Sequence, residues 1–91
     1  MRWNKGLLIY NGNAGQMDLE TKLGACVPVL SPHCRELVIL ATQEPGEAEQ
    51  ICRENGEDMD VVFILGGDGT VHECINGLSS LEKRPVVGIL P

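Results

Sequence analysis

Three glycines surround an aspartate in the sequence Gly66-Gly67-Asp68-Gly69-Thr70, which stands between an apolar run and a helical pattern. Glycines can adopt positive φ and let the backbone approach a ligand closely. Successive N–H groups in such a turn, with the positive end of the following helix dipole, form an anion-binding site. The sequence therefore predicts a phosphate-binding loop at residues 66–70.

Asp68 limits the reactions that the loop could support, because a carboxylate repels a nearby phosphate unless a cation or a proton lies between them. A Mg²⁺ ion between them removes the conflict, or the carboxylate accepts a proton from an attacking hydroxyl. Both roles indicate phosphoryl transfer rather than passive binding. The residue types are compatible with either role.

The residues after the loop also have a structural interpretation. Thr70 and Glu73 fit a capping box, with Thr70 as the N-cap and Glu73 three positions later. A tight turn without a ligand is the alternative, but it does not explain three glycines around an aspartate. His72 either contacts a nucleotide or is incidental to the first helical turn.

Two more polar segments follow apolar runs. Asn11-Gly12-Asn13-Ala14-Gly15 comes after the first run and Thr42 after the second. Taken alone, the first segment is ordinary turn chemistry, and Thr42 could bind phosphate or merely precede a helix. However, the carboxyl ends of parallel strands meet at one sheet edge, where ligands bind. We therefore expect the three loops to converge there.

Four continuous apolar runs indicate the strands, at residues 7–10, 37–40, 61–65 and 86–90. Runs that do not alternate with polar residues are typical of parallel strands covered on both faces. The intervening helical patterns predict a three-layer, Rossmann-like α/β fold in the order β-α-β-α-β-α-β.

The helices are expected at residues 17–30, 45–55 and 71–81. Pro28 predicts a kink in the first helix or its division into two short helices. Pro45 suits the first turn of the second helix and Gly56 its C-terminal cap. The third helix has the clearest apolar face, formed by Val71, Cys74, Ile75 and Leu78.

Composition excludes several classes of function. The net charge of −6 and only three aromatic residues argue against a nucleic-acid-binding protein. No stretch approaches the ~20 apolar residues of a membrane span. The four cysteines have no spacing that suits zinc, so we expect buried or half-buried free thiols in a reducing cytosol.

Residues 66–78 closely resemble the signature of the diacylglycerol kinase catalytic domain superfamily, which includes sphingosine and ceramide kinases and many bacterial lipid kinases. The Gly-Gly-Asp-Gly-Thr core alone is shared with NAD kinases and resembles phosphofructokinases. Glu73 and the run Asn76-Gly77-Leu78 favour the lipid kinases.

Other segments carry the same resemblance. The first loop is similar to an Asn-Pro-x-Ser-Gly motif, matching at Asn11 and Gly15 and departing at Gly12 and Ala14. His72 replaces an Asn that is usual in bacterial members. Residues 42–48 resemble a Thr-x-x-x-Gly-x-Ala segment, and residues 87–91 resemble the strand that leads into a Gly-Thr-x-Asn-Asp motif.

The resemblance implies an ATP-dependent lipid kinase that uses Mg²⁺, with Asp68 as the catalytic residue. The residues implied in holding ATP are Asn11, Gly12, Asn13, Ala14, Gly15, Thr42, Gly66, Gly67, Asp68, Gly69, Thr70, Val71 and His72. The alternatives are a kinase of NAD or another soluble substrate with the same core, or a non-catalytic nucleotide-binding module.

The resemblance also implies how the protein is divided into domains. Residues 1–91 are expected to form an N-terminal nucleotide-binding subdomain, truncated before a β-rich C-terminal domain that helps to form the lipid cleft. The chain alone is then expected to be inactive. The whole enzyme would be cytoplasmic, with peripheral membrane contact, and an exposed sheet edge in the chain could support association.

Overall fold

Four parallel strands form one sheet in the order β2-β1-β3-β4 in the computed structural model, which describes residues 2–13 and 16–90. The strands are β1 (Trp3–Asn11), β2 (Cys34–Thr42), β3 (Val61–Leu65) and β4 (Val86–Leu90). The predicted parallel α/β fold is confirmed. β3 and β4 have the predicted bounds, whereas β1 and β2 are longer because their pairing extends from Trp3↔Cys34 to Asn11↔Thr42.

Three helices connect the strands, and they are α1 (Gln16–Leu30), α2 (Glu47–Asn55) and α3 (Asp68–Ser79). The prediction of two short helices around Pro28 is wrong, because α1 is a single helix with Pro28 in its last turn. The proline leaves the carbonyl of Gly24 without its usual donor, and Gly24 is exposed, so water can hydrate that carbonyl.

The helices form two layers, one on each face of the sheet. Leu19, Leu23, Val27 and Leu30 of α1 pack against Leu8, Cys34, Val61, Phe63 and Leu65. On the other face, α2 and α3 contribute Ala48, Cys52, Cys74 and Leu78 to a core with Leu7, Ile9, Val62 and Ile64. The three-layer prediction is therefore confirmed. Ile75, predicted on the buried face of α3, is instead 44% exposed.

The sheet is covered fully only at its centre. All of β3 and residues 6–9 of β1 are buried, but β2 and β4 form the two edges. Ile39 in β2 is 41% exposed and Ile89 in β4 is 60% exposed. The prediction that all four strands are covered on both faces is therefore wrong for these edge strands, where the helices leave part of each face uncovered.

All four cysteines are free thiols, as predicted, and three of them are buried. Cys52 and Cys74 meet between α2 and α3, where a thiol–thiol hydrogen bond and burial raise the pKa of Cys74 above its ordinary value. No helix in the described part of the chain combines the length and apolar character that crossing a bilayer requires.

Candidate functional site

The first two predicted loops meet at the carboxyl edge of the sheet through direct hydrogen bonds. The N–H of Gly12 donates to the carbonyl of Thr42 over 2.7 Å. The side-chain amide of Asn13 donates to the carbonyl of Gln43. The N–H of Asn13 also donates to Oδ1 of Asn11 over 2.9 Å, which folds the first loop on itself. The ends of β1 and β2 are therefore held together as one unit.

The loop after β2, residues 42–46, is ordered from both of its ends. The hydroxyl of Thr42 is buried and donates to the carbonyl of Tyr10 over 3.3 Å. At the other end, Oε1 of Glu47 accepts the N–H groups of Gln43 at 2.8 Å and Glu44 at 2.6 Å. Glu47 is the first residue of α2, so its carboxylate also lies at the favourable end of the helix dipole.

The third loop leads directly into α3, which begins at Asp68 and not at the predicted position after Thr70. Gly67 is the N-cap, with extended backbone, and its carbonyl accepts the N–H of Val71 at 3.1 Å. The predicted capping box is therefore wrong. Glu73 instead accepts the N–H of Gly46 at 3.1 Å, a contact that spans 27 positions.

The glycines of the third loop act differently from the prediction. Among the described residues, positive φ occurs at Gly46, at 89°, and not at Gly66, Gly67 or Gly69. A Cβ added to Gly67 or Gly69 would meet no atom within 4 Å. These two glycines therefore leave the backbone of the first turn of α3 uncovered, and this follows from their missing side chains rather than from unusual dihedral angles.

A polar cavity of about 210 Å³ lies between the three loops. Its lining combines amides, hydroxyls, two carboxylates and bare backbone, supplied by Asn11, Asn13, Thr42, Gln43, Glu44, Pro45, Gly69, Thr70 and Glu73. Lys and Arg do not occur among these lining residues. Any anion bound here would therefore rely on N–H and O–H donors, or on a cation that it brings with it.

Several predicted residues lie at the cavity and others lie beside it. Asn11, Asn13, Thr42, Gly69 and Thr70 line it. Gly12 lines a neighbouring hollow of about 460 Å³ on the α1 side, together with Tyr10 and Leu23. Gly66, Gly67, Asp68 and His72 are exposed at or near the start of α3, and the side chain of Val71 packs against the core. Ala14 and Gly15 lie outside the described residues.

Sequence reasoning missed three lining residues, Gln43, Glu44 and Pro45, and gave Glu73 a different role. The three directly follow Thr42 at the carboxyl end of β2. The rule that selected Thr42 could therefore have selected them as well.

Within residues 2–13 and 16–90, no group of three or more His, Cys, Asp or Glu residues comes together as a metal-binding cluster.

Residues 5–91 match the family model described as the diacylglycerol kinase catalytic domain. The chain belongs to this family. A Staphylococcus haemolyticus protein named as a "putative lipid kinase" is 35% identical over 95 residues, which cover 99% of the chain and 31% of that protein. A Staphylococcus carnosus protein with the same name is also 35% identical, over 98% of the chain and 31% of its own length.

Solved structures agree with this assignment to the diacylglycerol kinase catalytic domain family. A structure described as a diacylglycerol kinase from Bacillus anthracis str. Sterne superimposes on the whole chain with a TM-score of 0.90 and 46% identity, over 34% of its own length. A second structure from the same organism gives a TM-score of 0.89, over 33% of its length. The chain thus spans about a third of the length of these relatives.

Proposed function

We propose that this chain supplies the nucleotide-binding part of a lipid kinase that transfers the γ-phosphate of MgATP to a lipid hydroxyl. One observation carries the proposal, which is the open polar cavity lined by three loops at the carboxyl edge of the sheet. Open parallel sheets bind ligands at this edge. Membership of the diacylglycerol kinase catalytic domain family supports a kinase with a lipid acceptor.

The first turn of α3 is the part of the cavity best suited to phosphate. The first N–H groups of a helix have no acceptor within the helix and carry the positive end of its dipole. Residues 66–69 are exposed, and Gly67 and Gly69 place no side chain over these groups. In our proposal they donate to phosphate oxygens, while the amides of Asn11 and Asn13 add polar contacts.

The charges around the cavity favour ATP as its magnesium complex. Glu44 and Glu73 line the cavity, and Asp68 begins α3. A bare triphosphate would be repelled by these carboxylates. Mg²⁺ is commonly held by one or two carboxylates together with phosphates and waters. We propose that Asp68 either organises this ion or accepts the proton of the attacking lipid hydroxyl.

The size of the cavity limits what the chain does alone. At about 210 Å³ it is smaller than the roughly 300–1,000 Å³ of typical small-molecule sites, and it suits a phosphate chain better than a whole nucleotide. The relatives are about three times as long as the part that matches. We therefore propose that the 91-residue chain binds MgATP without phosphorylating lipid, and that the complete enzyme works in the cytoplasm at the membrane surface.

Calorimetry with a glycine variant tests the phosphate site without disturbing the fold. In Gly69→Ala the new methyl group meets no atom within 4 Å, so the melting temperature should not fall, but the methyl adds bulk at a residue that lines the cavity. We expect MgATP affinity to fall by about tenfold or more, equivalent to ~1.4 kcal/mol. Gly24→Ala, also in a helix with open space around it, is the matched control and should bind like the wild type.

Two further measurements complete this test. Chelation of Mg²⁺ should weaken ATP binding to the wild-type chain, because the carboxylates would then face an uncompensated triphosphate. Equal affinity of wild type and Gly69→Ala would contradict the proposed phosphate site. Phosphorylation of diacylglycerol by the 91-residue chain alone would contradict the proposal that it binds without turnover.

A further inference from the structure

Glu73 makes a long-range contact that its sequence position does not predict. It is the sixth residue of α3, and its Oε1 accepts the N–H of Gly46 at 3.1 Å. Gly46 immediately precedes α2. The carboxylate therefore connects the helix that follows the glycine loop with the loop that follows β2. Both segments line the cavity, with Gly69 and Thr70 from one and residues 42–45 from the other.

The N–H that Glu73 accepts belongs to a glycine with unusual backbone angles. Gly46 has a φ of 89°, the one positive value among the described residues. Its carbonyl accepts the N–H of Gln50 at 3.1 Å and begins α2, while its N–H points to Glu73. Left-handed backbone is easily adopted by glycine and costs other residues free energy. The turn at position 46 thus presents its N–H outside the helix, where a partner on α3 can take it.

The rest of the loop is already fixed by other contacts. Glu47 holds the N–H groups of Gln43 and Glu44, and Asn13 holds the carbonyl of Gln43. These bonds tie residues 43 and 44 to α2 and to the first loop, but not to α3. Glu73 joins this assembly to the first turns of α3. The packing of α2 on α3 sets the approach of the two helices, and the Glu73–Gly46 hydrogen bond adds a direct link between α3 and the loop beside the cavity.

We infer that Glu73 is a positioning residue, whose carboxylate holds the loop of residues 42–46 at the distance from α3 that binding of a nucleotide phosphate requires. This inference rests on the proposed function and assigns Glu73 no contact with the reacting atoms. What matters is the reach of the side chain and an oxygen acceptor at its end. The negative charge is not needed for this positioning role.

Three variants separate reach from charge. Glu73→Gln keeps the length and the acceptor oxygen but loses the charge, whereas Glu73→Asp keeps the charge but is one methylene shorter. Glu73→Ala loses both. Glu49→Ala is the matched control, since Glu49 is a half-buried helical glutamate with one side-chain partner, Arg53, outside the cavity.

The readouts are hydrogen exchange of the Gly46 amide by NMR and the Kd for MgATP by calorimetry, both on the 91-residue chain. In Glu73→Asp and Glu73→Ala we expect the amide to exchange faster and the Kd to rise about tenfold, as for loss of one hydrogen bond. Glu73→Gln should keep the amide protected and the Kd within about twofold of the wild type. Glu49→Ala should change neither quantity. Glu73→Asp carries the test if Glu73→Ala is too unstable.

Each contrary result has a distinct meaning. Absence of MgATP binding to the wild type would overturn the proposed function and this inference together. Wild-type affinity in Glu73→Asp, with a rapidly exchanging Gly46 amide, would overturn the positioning role while leaving the proposed function intact. Weak MgATP binding by Glu73→Gln with a protected Gly46 amide would show that the charge of Glu73 acts on the ligand. That result would also overturn the positioning role.

Discussion

Gly77 in α3 lies against the backbone carbonyl of Glu49 in α2, so closely that a Cβ at position 77 would overlap that oxygen. The same hypothetical Cβ would be 3.0 Å from the Cβ of Cys52. The two helices thus meet backbone to backbone at this point. Because Glu73 lies one turn earlier in α3, this contact also sets the distance over which its carboxylate reaches Gly46.

Gly77→Ala should therefore destabilise the protein, although alanine normally favours a helix. Overpacking of a close contact costs about 1–3 kcal/mol, against a gain of up to about 1 kcal/mol in helix propensity. We expect the free energy of unfolding in urea to fall by about 1 kcal/mol. Gly24→Ala is the matched control, since a Cβ there meets no atom within 4 Å, and it should raise stability by about 0.5–1 kcal/mol. Equal effects of the two substitutions would contradict the close contact.

The sequence predicted the core of this fold from local signals. The five apolar residues of β3 and the period of Val71, Cys74 and Leu78 in α3 report burial directly, and both agree with the structure. The rule that loops meet at the carboxyl edge also held, since residues from all three loops line one cavity. These features could be predicted because each depends on neighbours in sequence or on the topology of the sheet.

The errors arose where a distant partner decides the outcome. Thr70 and Glu73 fit a local capping box, but Glu73 instead accepts an N–H that is 27 positions away. Positive φ falls at Gly46, the N-cap of α2, rather than in the glycine loop. Asn4 and Lys5 look like residues before a strand, yet they belong to β1 because Asp60 and β2 provide partners for them. None of these contacts leaves a local signature.

Asp60 should be worth more to stability than its partly exposed position suggests. Its Oδ2 accepts the N–H groups of Asn4 and Lys5, each at 3.0 Å, and so ties the start of β1 to the residue before β3. Hydrogen bonds to a charged group contribute about 1.5–3 kcal/mol, less where solvent reaches them. We expect Asp60→Ala to lower the free energy of unfolding by about 1–2 kcal/mol in urea titrations.

Asp58→Ala provides the control for Asp60→Ala. Asp58 is exposed in the 3₁₀ turn Gly56–Asp58, so its removal should change stability by less than about 0.5 kcal/mol. Asp60→Asn keeps one acceptor oxygen, so its loss of stability should lie between those of Asp60→Ala and Asp58→Ala. If Asp60→Ala matched Asp58→Ala, the carboxylate would not be needed to anchor β1.

The buried thiol of Cys34 should make the stability of the protein depend on pH in the alkaline range. Burial, and then the nearby carboxylate of Asp60, raise the pKa of Cys34 above its ordinary value. An unfolded cysteine ionises near pH 8.5, so above that pH the unfolded state has fewer protons than the folded state. The contribution of Cys34 is therefore complete below about pH 8.5 and is lost as the pH rises toward the folded pKa.

Comparison of wild type with Cys34→Ala isolates this effect from other groups. Near pH 7 the variant should be less stable, because it leaves a gap beside Gly6, where the thiol packs closely. From about pH 8.5 upward that difference should shrink by up to ~1.4 kcal/mol per pH unit, the value for one proton. Urea titrations at several pH values up to 10 measure it. A difference that stays constant across this range would mean that the Cys34 thiol ionises equally in the folded and unfolded states.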